Sequence, residues 1–272
     1  MPKNLLIVSA IAAVAVIGLF LLPKSVVDNE NSTEANAAEE ATGIQAGEAE
    51  HSMDVPNEAI EELAELKEAY QNSKNSENFA SFANSLIERF ASLNQYDSAA
   101  KYAAELAEFN QSEANLQKAG DMYYEAFTFA MDADKTRRMG EQARYFYEQL
   151  LAQSPDHLDA KAKMAMTYVS SPNPMQGILM LREVLDTDAN NQMAIYNLGL
   201  LSMQSGQYDR AIDRFEKLVT LDPEHLQAQF LLGVSYFNAG KNGEAEAQFK
   251  KVKTMDADPS VAASVDEYLN QL

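Results

Sequence analysis

The stretches Gly206-Gln207-Tyr208-Asp209-Arg210-Ala211 and Asn94-Gln95-Tyr96-Asp97-Ser98-Ala99 read almost identically although they lie far apart in the chain. At matching offsets they are followed by Phe215 and Ala103, and then by Leu218 and Leu106. Self-similarity of this kind predicts an array of repeated structural units. Because such arrays usually present an extended surface to another protein, the pattern bears on function as well as on fold.

Alignment on these stretches gives a period of about 34 residues, the length of a helix–turn–helix repeat. Three consecutive units fit without gaps, and two degenerate units precede them. The second degenerate unit is about ten residues too long, with the surplus around residues 130–140, which indicates either longer helices or an extended loop. The predicted units are 80–111, 112–157, 158–191, 192–225 and 226–259.

Small residues recur at the eighth and twentieth positions of the three regular units. Two antiparallel helices can cross closely only where both carry small side chains, and larger residues three or four positions away fill the surrounding space. Gly206 and Gly240 are predicted to punctuate the turns between the paired helices. The small residues are Ala165, Gly199 and Gly233 at the eighth position, and Gly177, Ala211 and Ala245 at the twentieth.

This pattern resembles the tetratricopeptide repeat family, and unit 192–225 carries most of it. That unit departs from the family in having Ile195 near its start and Ser202 where an aromatic residue is common. The resemblance covers residues 80–259 and implies an all-α solenoid of about five helical hairpins plus capping helices. The matching residues of the unit are Leu198-Gly199, Ala211, Phe215, Leu218 and Pro223.

Two amphipathic segments flank the repeats and are predicted to cover the apolar ends of the array. Segment 57–79 is predicted to be an N-terminal capping helix, and a short coiled-coil seam for self-association is the alternative. Segment 260–272 is predicted to be the C-terminal capping helix. The apolar faces comprise Ile60, Leu63, Leu66 and Tyr70 in the first segment, and Val261, Val265, Tyr268 and Leu269 in the second.

Residues 5–22 are apolar apart from Ser9 and reach the length that spans a bilayer core, about 20 residues. We therefore predict a transmembrane anchor over residues 1–24, and a cleaved signal peptide or a buried core helix are the alternatives. Lys3 precedes the span, and the flank beyond Lys24 is acidic. This distribution favours a single-pass protein of the cell membrane with a cytoplasmic N-terminus and an extracytoplasmic, periplasmic C-terminal domain.

Residues 25–56 consist mostly of Asn, Ser, Thr, Ala, Glu and Asp. Such a segment buries too little apolar surface to offset the entropy of ordering, so it is predicted to be a disordered acidic linker. An alternative role for its acidic residues is the recruitment of a basic partner.

The charge and the motif content exclude several classes of function. The formal net charge of −20 and a pI near 4.5 argue against nucleic-acid binding, which needs a basic surface. The histidines His51, His157 and His225 are isolated, and no cysteine is present, so neither metal spacing nor a disulfide framework is indicated. No nucleotide-binding or hydrolase motif occurs, and we expect a non-enzymatic protein without cofactors.

The resemblance also implies a partner-binding groove, lined by the second, fifth, ninth and twelfth residues of each unit. Lys and Arg are absent from these positions in the last three units, whereas Met and aromatic residues suit an apolar peptide or an amphipathic helix. Coverage by neighbouring units or by the chain's own N-terminal helix is the alternative. The predicted groove residues are Met166, Val169, Met193, Tyr196, Leu200, Met203, Phe230, Val234 and Phe237.

The earlier units place polar residues at corresponding sites, so the groove is predicted to grade from polar to apolar along the array. The polar residues are Asn84, Glu88, Gln117 and Asp121. The leading hypothesis is a membrane-tethered interaction scaffold or chaperone-like adaptor, in envelope assembly, protein export or cytochrome maturation. The alternative is a structural, homo-oligomerising membrane-associated protein.

Overall fold

The computed structural model describes residues 57–73, 78–255 and 259–272, and every regular element in these ranges is an α-helix. The predicted anchor (1–24) and linker (25–56) lie outside the described residues. No helix within the described ranges has the length and apolarity needed to cross a bilayer. The twelve helices are α1 Asn57–Ser73, α2 Phe79–Ser92, α3 Tyr96–Phe109, α4 Glu113–Thr128, α5 Ala133–Gln153, α6 Leu158–Val169, α7 Pro174–Thr187, α8 Gln192–Gln204, α9 Tyr208–Leu221, α10 Leu226–Asn238, α11 Asn242–Met255 and α12 Pro259–Leu269.

Helices α2 to α11 pack as five consecutive hairpins, so the fold is an all-α solenoid of tetratricopeptide-like type, as the repeat pattern predicted. The turns of three hairpins adopt the same left-handed conformation, with φ of 70° at Gly206, 72° at Gly240 and 58° at Asn94. The residue after each of them donates its backbone N–H to the carbonyl five residues earlier, which closes the preceding helix in a Schellman motif. These bonds join Gln95 to Phe90, Gln207 to Ser202, and Lys241 to Tyr236, at 2.8–2.9 Å.

Glycines allow the two helices of a hairpin to touch. A Cβ atom on Gly199 would lie 2.7 Å from Cζ of Phe215, and one on Gly233 would meet the corresponding ring at a similar distance. A Cβ atom on Gly177 would lie only 2.3 Å from the backbone oxygen of Ala165. The eighth position therefore receives the aromatic ring of the second helix, while at Gly177 the contact is directly to backbone.

In the first hairpin the large and the small residue at this helix contact change places. Ile87 occupies the eighth position, where the fourth and fifth hairpins have glycine, and Ala103 occupies the position of their aromatic ring. Both residues are buried. The large residue has moved from the second helix to the first, which preserves the summed side-chain volume that a close-packed core requires. This explains how a degenerate unit keeps the same fold.

The surplus residues of the second hairpin lengthen its helices. Helix α4 has 16 residues and α5 has 21, whereas both helices of the first hairpin have 14. The turn between α4 and α5 folds back on the preceding hairpin. Phe129 stacks on Tyr96 with ring centroids 5.0 Å apart, and Lys135 forms a 2.6 Å ion pair with Asp97.

The two end helices attach differently to the array. Helix α1 buries Ala59, Leu63 and Tyr70, but Ile60 is 53% exposed, so its predicted place on the packed face was wrong. Ala59 takes that place, because positions 59, 63, 66 and 70 follow the i, i+4, i+7 spacing of one helical face. Among the described residues of α12, only Val265 is fully buried.

Candidate protein-interaction surface

The predicted groove residues lie on α6, α8 and α10, the first helices of the last three hairpins. Helix α4 contacts α6, and α6 contacts α8, so the first helices adjoin along the array. We call the surface they form together with α2 the first-helix face. Seven of the nine predicted residues are half-buried on these helices: Met166, Val169, Met193, Tyr196, Leu200, Phe230 and Phe237.

The structure places the other two, Met203 and Val234, in the core, with 2% and 7% of their surface exposed. Their predicted position in an open groove is therefore not what this structure shows. Helices α8 and α10 are apolar around much of their circumference and bury residues on several sides. A repeat register alone consequently does not separate their packed face from their open face.

Tyr196 is held by rings on two sides. Its ring meets that of Phe215 edge-on at 6.1 Å and stacks on the imidazole of His225 at 5.5 Å with an interplanar angle of 16°. Burial raises the pKa of the Tyr196 phenol to about 12. Tyr196 is thus chiefly a packing residue that joins the fourth hairpin to the start of the fifth.

Phe230 and Phe237 are partly covered by the C-terminal helix. The ring of Tyr268 in α12 lies edge-on to both, with centroid distances of 5.8 and 5.3 Å, and stacks on the fully buried Phe249 at 5.0 Å. Coverage of the apolar positions by the chain itself therefore does occur at this end. The covering element is the C-terminal helix, whereas the alternative stated from the sequence was coverage by neighbouring units or by the N-terminal helix.

The remaining predicted residues differ in their surroundings. Val169 faces the second helix of its own hairpin, since its Cγ2 atom lies 2.8 Å from the point where a Cβ on Gly177 would be. Met166, Met193 and Leu200 are half-buried and pack at the margins of the core. Met193 and Leu200 lie two turns apart on α8, so they form one row on the first-helix face.

The polar half of the first-helix face is paired within the array. Asp121 on α4 accepts hydrogen bonds at Oδ1 from Tyr147 Oη at 2.8 Å and from Lys163 Nζ at 2.6 Å. Burial raises the pKa of the Tyr147 phenol far above its usual value, and the carboxylate of Asp121 raises it further. The side chains of Asp121 and Lys163 are only 23% and 21% exposed, so this ion pair ties two successive hairpins together in a partly desolvated site.

Two further contacts cross between first helices or their ends. Lys118 on α4 donates to the side-chain oxygen of Asn84 on α2. The imidazole Nε2 of His157 lies 3.3 Å from the Gln117 amide oxygen. Sequence reasoning identified Asn84, Gln117 and Asp121 as polar but not as partners of side chains in neighbouring units.

Glu125 stands beside this network on α4. Burial raises the pKa of its carboxyl, the charge of Lys163 opposes the rise, and the charge of Asp121 adds to it. The charged form of Glu125 is therefore less stable in the fold than in water, so its carboxylate slightly destabilises this end of the first-helix face.

The two histidines in equivalent register cap helices. The Nδ1 atom of His157 accepts the backbone N–H of Ala160 at 3.3 Å, and that of His225 accepts from Ala228 at 3.4 Å. Asn191 performs the same role for α8. The sequence analysis treated the histidines as isolated and missed the capping role, which their placement just before a helix start could have suggested.

Several large apolar side chains are exposed on second helices, and others are exposed on α1 and in the turn between α4 and α5. Tyr145, Met175 and Leu179 are each more than half exposed. Tyr145 and Leu179 fall at the same position of successive units. A shallow depression of about 690 Å³ lies around Met175 and Leu179 at the start of α7.

No group of carboxylate, imidazole or thiol side chains within the described ranges could hold a metal ion. Buried polar side chains there bond within their own helix or hairpin, as Thr167 does with the Met164 carbonyl, Ser235 with the Leu231 carbonyl and Gln229 with Gln248. The arrangement is therefore that of a repeat protein whose surface chemistry is apolar packing at one end and ion pairing at the other.

Comparison with known proteins agrees with this class. Residues 196–262 match the model of the tetratricopeptide repeat family. The resemblance to that family is thus confirmed for the last two hairpins, and the same hairpin fold is present from α2 to α11.

A tetratricopeptide repeat protein from Parabacteroides merdae has a similar structure, with a TM-score of 0.56 and 18% identity over 75% of this chain and 77% of that one. A double mutant of MamA RS-1 is also similar, with a TM-score of 0.50 and 19% identity over 66% of this chain and 97% of that chain. At these identities the likeness concerns the fold.

A curated relative is the human protein named intraflagellar transport protein 88 homolog, which is 30% identical over 119 residues. The match spans 40% of this chain but only 14% of the human protein.

Proposed function

We propose that the protein is a non-enzymatic interaction scaffold or chaperone-like adaptor that binds an apolar peptide or an amphipathic helix. The docking surface is the apolar half of the first-helix face, formed by α8 and α10. The observation that carries this proposal is that Met193 and Leu200 on α8 and Phe230 and Phe237 on α10 are all only half-buried. Apolar side chains of this kind are the usual contacts of a helix laid into a groove.

The surroundings of the site fit such a role. The polar residues of the neighbouring hairpins are already engaged with one another, so they position the array and leave recognition to the apolar half. Flexible methionines adapt to partners of different shape. Residues 1–24 are proposed to tether the array to the cell membrane with the repeats on the periplasmic side, in envelope assembly, export or cytochrome maturation.

The test replaces Met193 and Leu200 with glutamate in the full chain and measures capture by a photo-reactive cross-linker placed at residue 227, which is partly exposed at the start of α10. We expect the double variant to lose its cross-linked partners while its helicity stays unchanged. Leu179→Glu on α7 is the matched control, because Leu179 is 52% exposed on a second helix. Equal loss in the control, or undiminished capture by the double variant, would contradict the proposal.

A second candidate function is self-assembly through the second helices. The exposed side chains of Tyr145, Met175 and Leu179 favour it, since large apolar residues grouped on a surface often mark an interface. Light scattering of the full chain distinguishes the two functions. A homo-oligomer that Met175→Lys and Leu179→Lys dissociate supports self-assembly, whereas a monomer at high concentration removes it.

A further inference from the structure

The C-terminal helix α12 lies on the apolar surface of the last hairpin. Its Tyr268 contacts Phe230 and Phe237 of α10 and Phe249 of α11, and its Val265 is fully buried. The array thus already holds an amphipathic helix, and it does so against two residues of the proposed docking surface.

The attachment of α12 is slight in comparison with that of α1. Helix α12 has 11 residues and buries one of them completely, whereas α1 has 17 residues and buries Ala59, Leu63, Tyr70 and Ser73. A helix of 11 residues is marginal on its own in water, so it depends on its contacts with the array. The exposed ion pair between Lys253 and Asp266, at 2.5 Å, contributes little, because water screens it.

The surface beneath α12 nevertheless needs a cover. Phe230 and Phe237 are half-buried with Tyr268 in place, and removal of α12 would expose their rings together with that of Phe249. Only another helix that presents similar apolar side chains at the same spacing would restore the lost contacts. A weakly held helix over a surface that must be covered is an exchangeable ligand.

We propose that α12 is an exchangeable occupant of a docking site for a partner's amphipathic helix, and that α12 displays the pattern this partner carries. The pattern is an aliphatic residue, a second one four positions later, and an aromatic–aliphatic pair three positions after that, as in Val261, Val265 and Tyr268-Leu269. This inference rests on the proposed function, since it names the kind of partner that the apolar half accepts.

The charges around α12 indicate a further feature of the partner helix. The chain is acidic overall, but Lys253 of α11 pairs with Asp266 of α12. A partner helix with an acidic residue directly after its second aliphatic position would reproduce this ion pair. Because the pair is exposed, it would help to fix the register of the partner helix and would add little to its affinity.

The experiment uses the full chain and a fluorescent peptide with the sequence of residues 259–272 as the probe. In one variant, Val265→Asp and Tyr268→Asp release α12 from the site. We expect this variant to bind the peptide at least tenfold more tightly than the wild type, because the competing helix has gone. Adding Phe237→Ala should reduce that binding at least tenfold, and a peptide with Tyr268 replaced by Ala should bind at least tenfold more weakly.

Several outcomes would overturn the proposal. Equal affinity of the peptide for the wild type and the released variant would show that α12 does not compete for the site. Loss of amide-exchange protection in α10 and α11 of the released variant would show that α12 is an integral part of the core. Wild-type dimers that the peptide dissociates would show that the occupant is a second copy of this chain.

Failure of this inference is separable from failure of the proposed function. If cross-linked partners are captured equally whether α12 is in place or released, the exchange is wrong and the scaffold function stands. If the peptide binds as expected but the Met193 and Leu200 variant loses no cellular partner, the docking site stands and the scaffold function is wrong.

Discussion

The first-helix face has a polar half on α4 and α6 and an apolar half on α8 and α10, and the two halves are covered or paired in different ways. On α4 and α6, Asp121 and Lys163 satisfy each other across a unit boundary. On α8 and α10 the corresponding surface is apolar, and at its end it is covered by Tyr268 from outside the repeats. A polar surface that is internally paired is closed to partners, whereas an apolar surface with a separable cover stays available to them. The difference is the basis of our proposal that recognition takes place in the C-terminal half.

The largest expected effect tests the closed half. Asp121→Ala should lower the free energy of unfolding by about 2 kcal/mol, because it leaves the partly buried Lys163 ammonium and the Tyr147 hydroxyl without their acceptor. Urea denaturation of the full chain measures this change. Asp209→Ala is the control, since Asp209 pairs with Lys241 while 82% exposed, and it should have no measurable effect. Similar destabilisation by both variants would remove the contrast between the halves.

The second effect tests the cover of the open half. Tyr268→Ala should reduce the local stability of α12 by about 1.5 kcal/mol, because three aromatic contacts are lost. Hydrogen exchange followed residue by residue reports this change. Amides in α4 and α6 should keep their protection, since each hairpin of a repeat array contacts only its neighbours. Equal loss in α4 would mean that the array unfolds as one unit.

The repeat predicted the fold well because its determinants are local. Gly199 and Gly233 must be small to admit the rings of Phe215 and Phe249, and this requirement recurs at a fixed spacing. Even the degenerate first hairpin follows the rule in reverse, with Ile87 and Ala103 exchanging their volumes. The turn residue Gly206 was likewise predictable, because a left-handed conformation favours glycine.

The surface was harder to predict because its determinants are not local. Asp121 and Lys163 are 42 residues apart, and a hydropathy pattern gives no partner to a polar residue. Met203 and Val234 were assigned to the groove by register, but the apolar helices around them bury both. The domain boundaries and the groove as a binding site stay predictions, as do the membrane anchor and its orientation.

The third effect tests whether His157 and His225, which cap helices at the same position of their units, make different contributions to stability because their neighbours differ. His157 contacts Gln117 in the polar half, whereas His225 stacks on Tyr196 in the apolar half. Replacing either with asparagine keeps the helix cap, as Asn191 shows at the intervening unit. In double-mutant cycles with Tyr196→Leu, His225→Asn should show a coupling of about 1 kcal/mol. The distant His157→Asn should show none, and coupling of both histidines to Tyr196 would contradict the contrast.

The smallest effect tests the strain that remains in the polar half. Because the pKa of Glu125 is raised, the folded chain binds its proton more tightly than the unfolded chain does. The free energy of unfolding therefore falls as the pH rises from the ordinary carboxyl range through the raised pKa, and above that window the carboxylate is a constant cost. Glu125→Gln should remove this cost and stabilise the protein near neutral pH by less than about 0.5 kcal/mol, since solvent screens the half-exposed group. Below about pH 3, where the carboxyl is almost fully protonated in both states, the variant and the wild type should have nearly equal stability. Thermal unfolding of the variant and the wild type near neutral pH and at the low pH measures the difference in stability.

A destabilised variant at neutral pH would mean that the carboxylate of Glu125 is a favourable partner of Lys163, and that it does not destabilise the polar half.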